Sequence, residues 1–175
     1  WCRGASFAEL LEGIGVAEGD LLQVLNKTLD LASQVREGLR IIALGDAGHV
    51  HESAAMRFFE REAVTGGWAT CPTTENAFLR ILSHPSYPRS LGSPVEARRL
   101  LSRLISAPGH QFWPDDLTLT DDRSHPELPG SKHLTDYFLL ALAVKNGGRF
   151  ATFDTGINAA LVPGGQAVLH VIPAS

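Results

Sequence analysis

The sequence predicts an α/β fold with a mainly parallel sheet, and three observations carry that prediction. Strand-length apolar runs alternate with helical periodicities from residue 39 to residue 175. Near the C-terminus, Leu139, Leu140, Leu142, Ala143 and Val144 form an apolar face too wide for an exposed helix, so this helix belongs against a sheet. Directly after it, Gly147-Gly148 reads as a helix stop and Arg149 to Phe153 as a short buried strand.

The elements follow in order. Residues 1–38 read as a separate helical segment. Ser6-Phe-Ala-Glu9 has capping-box spacing. Leu21, Leu25, Thr28, Leu29, Ala32 and Val35 keep helical period, and Gly38 closes the run. Leu39 to Leu44 has the length and apolarity of a strand, and equally of a helix start. Residues from His49 to Val64 carry Ala54, Ala55, Phe58 and Phe59 at helical spacing. Trp68 to Cys71 is a short strand ended by Pro72, and Thr74 to Leu82 a helix stopped before Pro85. Ser93-Pro-Val-Glu96 is a capping box with proline at the first helical position, opening a helix to about Ile105. Gln111 to Trp113 is a strand, Asp121 to Gly130 a polar loop, and Ala167 to Ile172 a last strand after the Gly164-Gly165 turn.

The totals set bounds. A chain of 175 residues, 44% hydrophobic and 19% charged, holds one domain with an appendage and a sizeable core. No apolar run is long enough for a bilayer and no secretory leader opens the chain, so the expectation is a protein without a membrane partner. The first residue is Trp1, which suggests a fragment or a processed product. A net charge of −4 excludes general attraction to nucleic acid, though not a local basic patch facing a metal-loaded acidic site. Cys2 and Cys71 stand far apart with no CxxC partner, which points to a reducing, cytoplasmic setting.

Three acids share one topological address. Glu75 and Asp136 fall in first helical turns, and Asp154 ends a strand. In a parallel α/β sheet these positions line one rim. Taken singly, each first-turn acid is explained by the helix dipole, at roughly 0.3–1 kcal/mol. Taken together, carboxylates at one rim repel unless a cation neutralises them. Oxygen ligands favour magnesium or manganese over zinc, and such ions activate water for in-line attack on a phosphodiester. His49 and His51 would point apart on a helix, Asp115-Asp116 caps a turn or lies on the outer rim, and Arg98, Arg99 and Arg103 read as a solvated face. No GxSxG, GxxxxGK[ST] or GxGxxG is present.

Four strings carry a resemblance. Gly67 to Pro85 (Gly-Trp-Ala-Thr-Cys-Pro-Thr-Thr-Glu-Asn-Ala-Phe-Leu-Arg-Ile-Leu-Ser-His-Pro), Phe112-Trp-Pro-Asp-Asp116, Leu134 to Ala143 and Ala151-Thr-Phe-Asp154 resemble the PIN-domain toxins of the VapC family, over about Ile41 to Pro173. The resemblance implies a PIN-like three-layer α/β domain over residues 39–175, with a central sheet flanked by helices. It implies a magnesium-dependent endoribonuclease (manganese being the alternative ion), an RNA substrate and a cognate antitoxin, and the family often forms homodimers. On that pattern Glu75, Asp136 and Asp154 are the metal-site acids, and Asn76 and Thr135 are supporting polar groups toward substrate; Arg80, read from its charge alone, is a candidate phosphate contact. Residues 1–38, with Trp-x-x-Gly-Ala-Ser-Phe-x-Glu-Leu and Glu-Gly-Asp-Leu, resemble the C-terminal helical region of superkiller-type DExH-box RNA helicases. No helicase motor motif accompanies them.

The chain departs from the toxin pattern at one point. That family opens with a strand ending in Asp-Val-Asn, whose aspartate is a metal ligand, and no such triplet occurs here. Alignment puts Glu37 at that place, whereas using Leu39 to Leu44 as the strand brings Asp46 to its end. The departure leaves two expectations: an active nuclease, or an impaired PIN fold that binds RNA or an antitoxin without cutting.

Overall fold

The computed structural model describes residues 51–63 and 66–173. The helical reading of residues 1–38, the run Leu39 to Leu44, His49, and the acids Glu37 and Asp46 lie outside the described residues. The alternation of helices with parallel strands is the α/β architecture the sequence predicts. Helix α1 (Glu52–Phe58) continues through a π-helical turn, Phe59–Ala63. Strand β1 (Trp68–Thr70), helices α2 (Pro72–Leu82) and α3 (Pro94–Leu104) and strand β2 (His110–Phe112) follow. After a 3₁₀ turn at Ser131–His133 come helix α4 (Leu134–Lys145), strand β3 (Phe150–Thr152), a second 3₁₀ turn at Ala159–Leu161, the short helix α5 (Gly165–Val168) and strand β4 (Leu169–Val171).

The strands form two parallel pairs. β1 lies beside β2 with Trp68 opposite His110, and β3 beside β4 with Phe150 opposite Leu169. Among the described residues the two pairs are separate sheets rather than one continuous sheet.

Local sequence explains the element ends. α2 begins two residues earlier than its periodicity suggests. Extended Cys71 acts as N-cap, its N–H donating to Thr74 Oγ1 at 2.9 Å, and Pro72 fits the first helical position. Ser93 caps α3 as its motif predicts, accepting from the Glu96 N–H at 3.3 Å. α4 ends in a Schellman arrangement: Gly147, at φ +65°, donates to the Val144 carbonyl at 3.1 Å, and Gly148 to that of Ala143 at 2.9 Å. The last strand is shorter than its apolar run, because Gly164 at φ +78° turns the chain into α5 before Leu169.

Two cores hold these elements. α2 and α3 pack as a helical hairpin around Phe78, Leu82, Ala97, Leu101 and Leu104, with Phe59 closing one side. α4 is apolar all round, as its sequence predicts, and Leu139 to Ala143 are all buried among Phe150, Ile157, Ala159 and Val162. Burying side chains of this size contributes about 1.5–3 kcal/mol each. No described helix is long and apolar enough to cross a membrane.

Candidate metal centre

Chain geometry brings Asp136 and Asp154 together. α4 rises for about 18 Å, the Gly147-Gly148 turn reverses the chain, and β3 runs back along the helix. The strand's end therefore meets the helix's start. Asp136, in the first turn of α4, is 1% exposed. Asp154 lies two residues beyond β3 and is held by an Asx turn. Its Oδ1 accepts the Gly156 N–H at 2.7 Å, and its own N–H donates to Thr152 Oγ1 at 2.9 Å. With His133 these acids form a group whose potential ligand atoms all lie within 4.8 Å of one another.

His133 is the member of this group that sequence reasoning missed. It is the N-cap residue of α4 but makes no side-chain capping bond. Its Nδ1 and Asp154 Oδ2 are buried without a hydrogen-bond partner among the described residues. Leaving such atoms unmet costs roughly 1–3 kcal/mol apiece, so the arrangement suits a ligand that meets both. The signal was present in the sequence, since a cap residue and the acid three positions on share one helix face.

Glu75 is not in that three-residue group. It sits in the first turn of α2, as predicted, and its Oε1 accepts a hydrogen bond from Thr70 Oγ1 at 2.7 Å. Thr70 is 2% exposed, and its hydroxyl also meets His110 Nε2 at 2.9 Å. Because the Thr70 proton goes to Glu75, the hydroxyl oxygen accepts from His110, which assigns that proton to Nε2. Burial holds the His110 imidazole below its ordinary value, against the opposing pull of the Glu75 carboxylate. The result is a directed chain from a neutral imidazole through a hydroxyl to a carboxylate, built across the β1–β2 register.

Asp115 closes the neighbouring part of the rim. Its Oδ2 accepts the Thr73 N–H at 2.8 Å and the Thr73 hydroxyl at 2.7 Å, tying the end of β2 to the start of α2. Burial pushes the Cys71 thiol up, the adjacent Asp115 carboxylate adds to this, and hydrogen bonds from Thr74 oppose it. Asp116 instead pairs with Lys145 at 2.6 Å on the surface. Asn76 and Arg80 are exposed on α2 and Thr135 is half-buried on α4. Arg80 lies in the last turn of α2, about 12 Å along the axis from its start, so it stands away from the acidic end of that helix.

Two carboxylates and an imidazole whose ligand atoms lie within 4.8 Å of one another can hold a divalent ion. The two carboxylates fit magnesium or manganese, and an imidazole donor moves the preference toward manganese.

Comparison with known proteins finds one domain family and several relatives. Residues 1–56 match the DSHCT (NUC185) domain, which covers the segment that resembles the helicase region. Ribonuclease VapC38 of Mycobacterium tuberculosis is 39% identical over 117 residues, covering 67% of this chain and 82% of the relative. Ribonuclease VapC39 of the same species is 40% identical over 119 residues, covering 67% and 85%. Its Ribonuclease VapC44 is 39% identical over 128 residues, covering 71% and 87%. No solved structure matches the chain.

Proposed function

The chain belongs to the VapC ribonuclease family, and on that premise we propose that it is a metal-dependent endoribonuclease of toxin–antitoxin type, acting on RNA in the cytoplasm. The observation that carries this reading is the convergence of His133, Asp136 and Asp154 within 4.8 Å at the end of β3. Asp136, Asp154 and His133 would hold magnesium or manganese, and when bound the ion supplies Lewis acidity and an activated water for phosphodiester hydrolysis.

The remaining roles belong to the protein's own side chains. Glu75 is oriented by the Thr70 hydroxyl and completes the acidic rim toward the substrate, where its carboxylate can accept a proton from water. Thr135 and Asn76 offer hydrogen bonds to the RNA, and exposed Arg80 supplies positive charge to a more distant phosphate. A cognate antitoxin covering this rim would block it, and a homodimer is the state the family suggests.

The test is cleavage of a mixed RNA pool with manganese or magnesium present. Asp136→Asn removes one ligand charge at nearly constant shape. A loss of roughly 100-fold or more is expected, since even groups that merely support a ligand carry 10–100-fold. Cleavage at the wild-type rate by that variant would sink the site assignment.

One observation supports a second reading. The chain has no Asp-Val-Asn triplet to end a first strand, and Glu37 and Asp46, the two candidates for that acid, lie outside the described residues. On this reading the fold binds RNA or an antitoxin without cutting. Tight metal binding with no turnover would favour it.

A further inference from the structure

Glu75 depends on one donor for its place. Among the described residues its carboxylate makes a single hydrogen bond, accepted from Thr70 Oγ1 at 2.7 Å. A glutamate side chain turns about several bonds, and ordering it in one position needs such a tether. Thr70 is built for that work. It ends β1 at 2% exposure, its branched side chain restricts χ1, and its carbonyl accepts the Trp113 N–H at 2.8 Å. Backbone and packing leave only the hydroxyl proton free. A threonine hydroxyl donates once, and two groups stand within its reach: Glu75 Oε1 at 2.7 Å and His110 Nε2 at 2.9 Å.

We propose that His110 is a positioning residue for Glu75, acting through Thr70, and that its imidazole tautomer is the control. With its proton on Nε2 the ring donates to the Thr70 oxygen, and the hydroxyl proton goes to Glu75. With its proton on Nδ1 the ring presents a lone pair at Nε2, which competes for that same hydroxyl proton. Glu75 loses its tether whenever the imidazole wins.

The surroundings favour the first arrangement. The β1–β2 register sets His110 opposite Trp68, whose indole meets the imidazole edge-on at 4.6 Å. Phe59 in turn holds that indole from another side at 5.0 Å. Burial favours the neutral ring, the only form in which two tautomers exist. A charged carboxylate also takes the Thr70 proton more strongly than a neutral nitrogen does, so Glu75 itself selects the Nε2 form. The hydrogen-bond control stands on this geometry; its service to catalysis rests on the nuclease reading above.

Nitrogen-15 spectra of the histidine rings in the full chain at pH 8 test the control. His110 should carry its proton on Nε2 in the wild-type protein. Glu75→Ala frees the Thr70 proton to turn to the ring, so an Nδ1–H population should appear at His110. His84, whose Nδ1 accepts the Ser86 N–H at 3.1 Å, should keep its tautomer. A wild-type His110 protonated on Nδ1 would overturn the proposal, however the variant folds, and so would a tautomer indifferent to Glu75→Ala. RNA cleavage tests the role. His110→Phe should lower kcat roughly 10-fold or more with KM little changed, as loss of an orienting partner does. His110→Gln, whose amide N–H can donate to Thr70, should recover most of the rate. A full-rate His110→Phe beside an impaired Glu75→Gln would overturn the positioning role and leave the nuclease reading standing. A wild-type protein that cuts no RNA would sink the nuclease reading instead, and the tautomer spectra would still decide the control.

Discussion

Replacing Gly148 by alanine should destabilise the protein by about 1–3 kcal/mol, the usual cost of overpacking a filled site. A Cβ built there would lie 2.4 Å from Trp113 Cη2 and 3.0 Å from Cζ2. Ordinary carbon contact begins near 3.4 Å, so the ring must retreat by about 1 Å. It cannot do so cheaply, since Trp113 is half-buried against the α4 core and its backbone N–H is fixed to the Thr70 carbonyl at 2.8 Å. The neighbouring glycine separates this steric cost from a conformational one. A Cβ on Gly147 meets nothing within 4 Å, but its φ of +65° makes Gly147→Ala cost about 1–2 kcal/mol through backbone strain. Urea midpoints for Gly148→Ala, Trp113→Leu and the double variant measure the coupling, expected at about 0.5–3 kcal/mol in the relieving direction. A Gly148→Ala penalty that is the same size with and without the tryptophan would refute the reasoning.

Other outcomes follow from the titrating groups. Burial lowers the imidazoles of His51, His110 and His125 from 6.5. Below 6.5 and above each lowered value the unfolded chain binds more protons than the folded one, so stability rises with pH across that window. Their contribution is complete above 6.5 and is lost as pH falls below it, which denaturant midpoints at pH 7.5 and 5.5 should show. Asp121, whose carboxyl is lowered by the Arg123 N–H and the Ser124 hydroxyl, loses its share only below its ordinary value of 3.8 and does not disturb that comparison. Cys71 is a buried thiol raised above its usual range. At pH 8 it should alkylate roughly 100-fold more slowly in the native protein than in urea, because the thiolate is the reactive form; equal rates by peptide mass mapping would contradict its placement.

How much of this was legible in the sequence depends on how local each cause is. α4, its glycine stop and β3 were read nearly to the residue, because a wide apolar run and a Schellman glycine act within one turn of the chain. α3 was read from the Ser93 cap for the same reason. The true start of α2 was hidden, since Cys71 capping through Thr74 is not a frequent cap signature. The π-helical turn at Phe59–Ala63 leaves no periodic trace. Asp136 and Asp154 were legible as a pair because helix, turn and strand fold back on themselves within 21 residues. The link from His110 through Thr70 to Glu75 was not legible, as it joins residues 40 apart whose meeting is set by strand register. His133 was overlooked because the search followed carboxylates, and a histidine at a cap position reads as a cap.

The central claim is that Asp136, Asp154 and His133 form a divalent-metal site, and manganese binding measured by calorimetry with parallel melting curves tests it most directly. At a hundred times its dissociation constant the ion should stabilise the wild-type protein by about 2.7 kcal/mol, raising Tm by roughly 5–11 °C for a domain of this size. Asp154→Asn should lose both the binding heat and the Tm shift. Full binding by Asp154→Asn, or no manganese-dependent shift in the wild-type protein, would contradict the account.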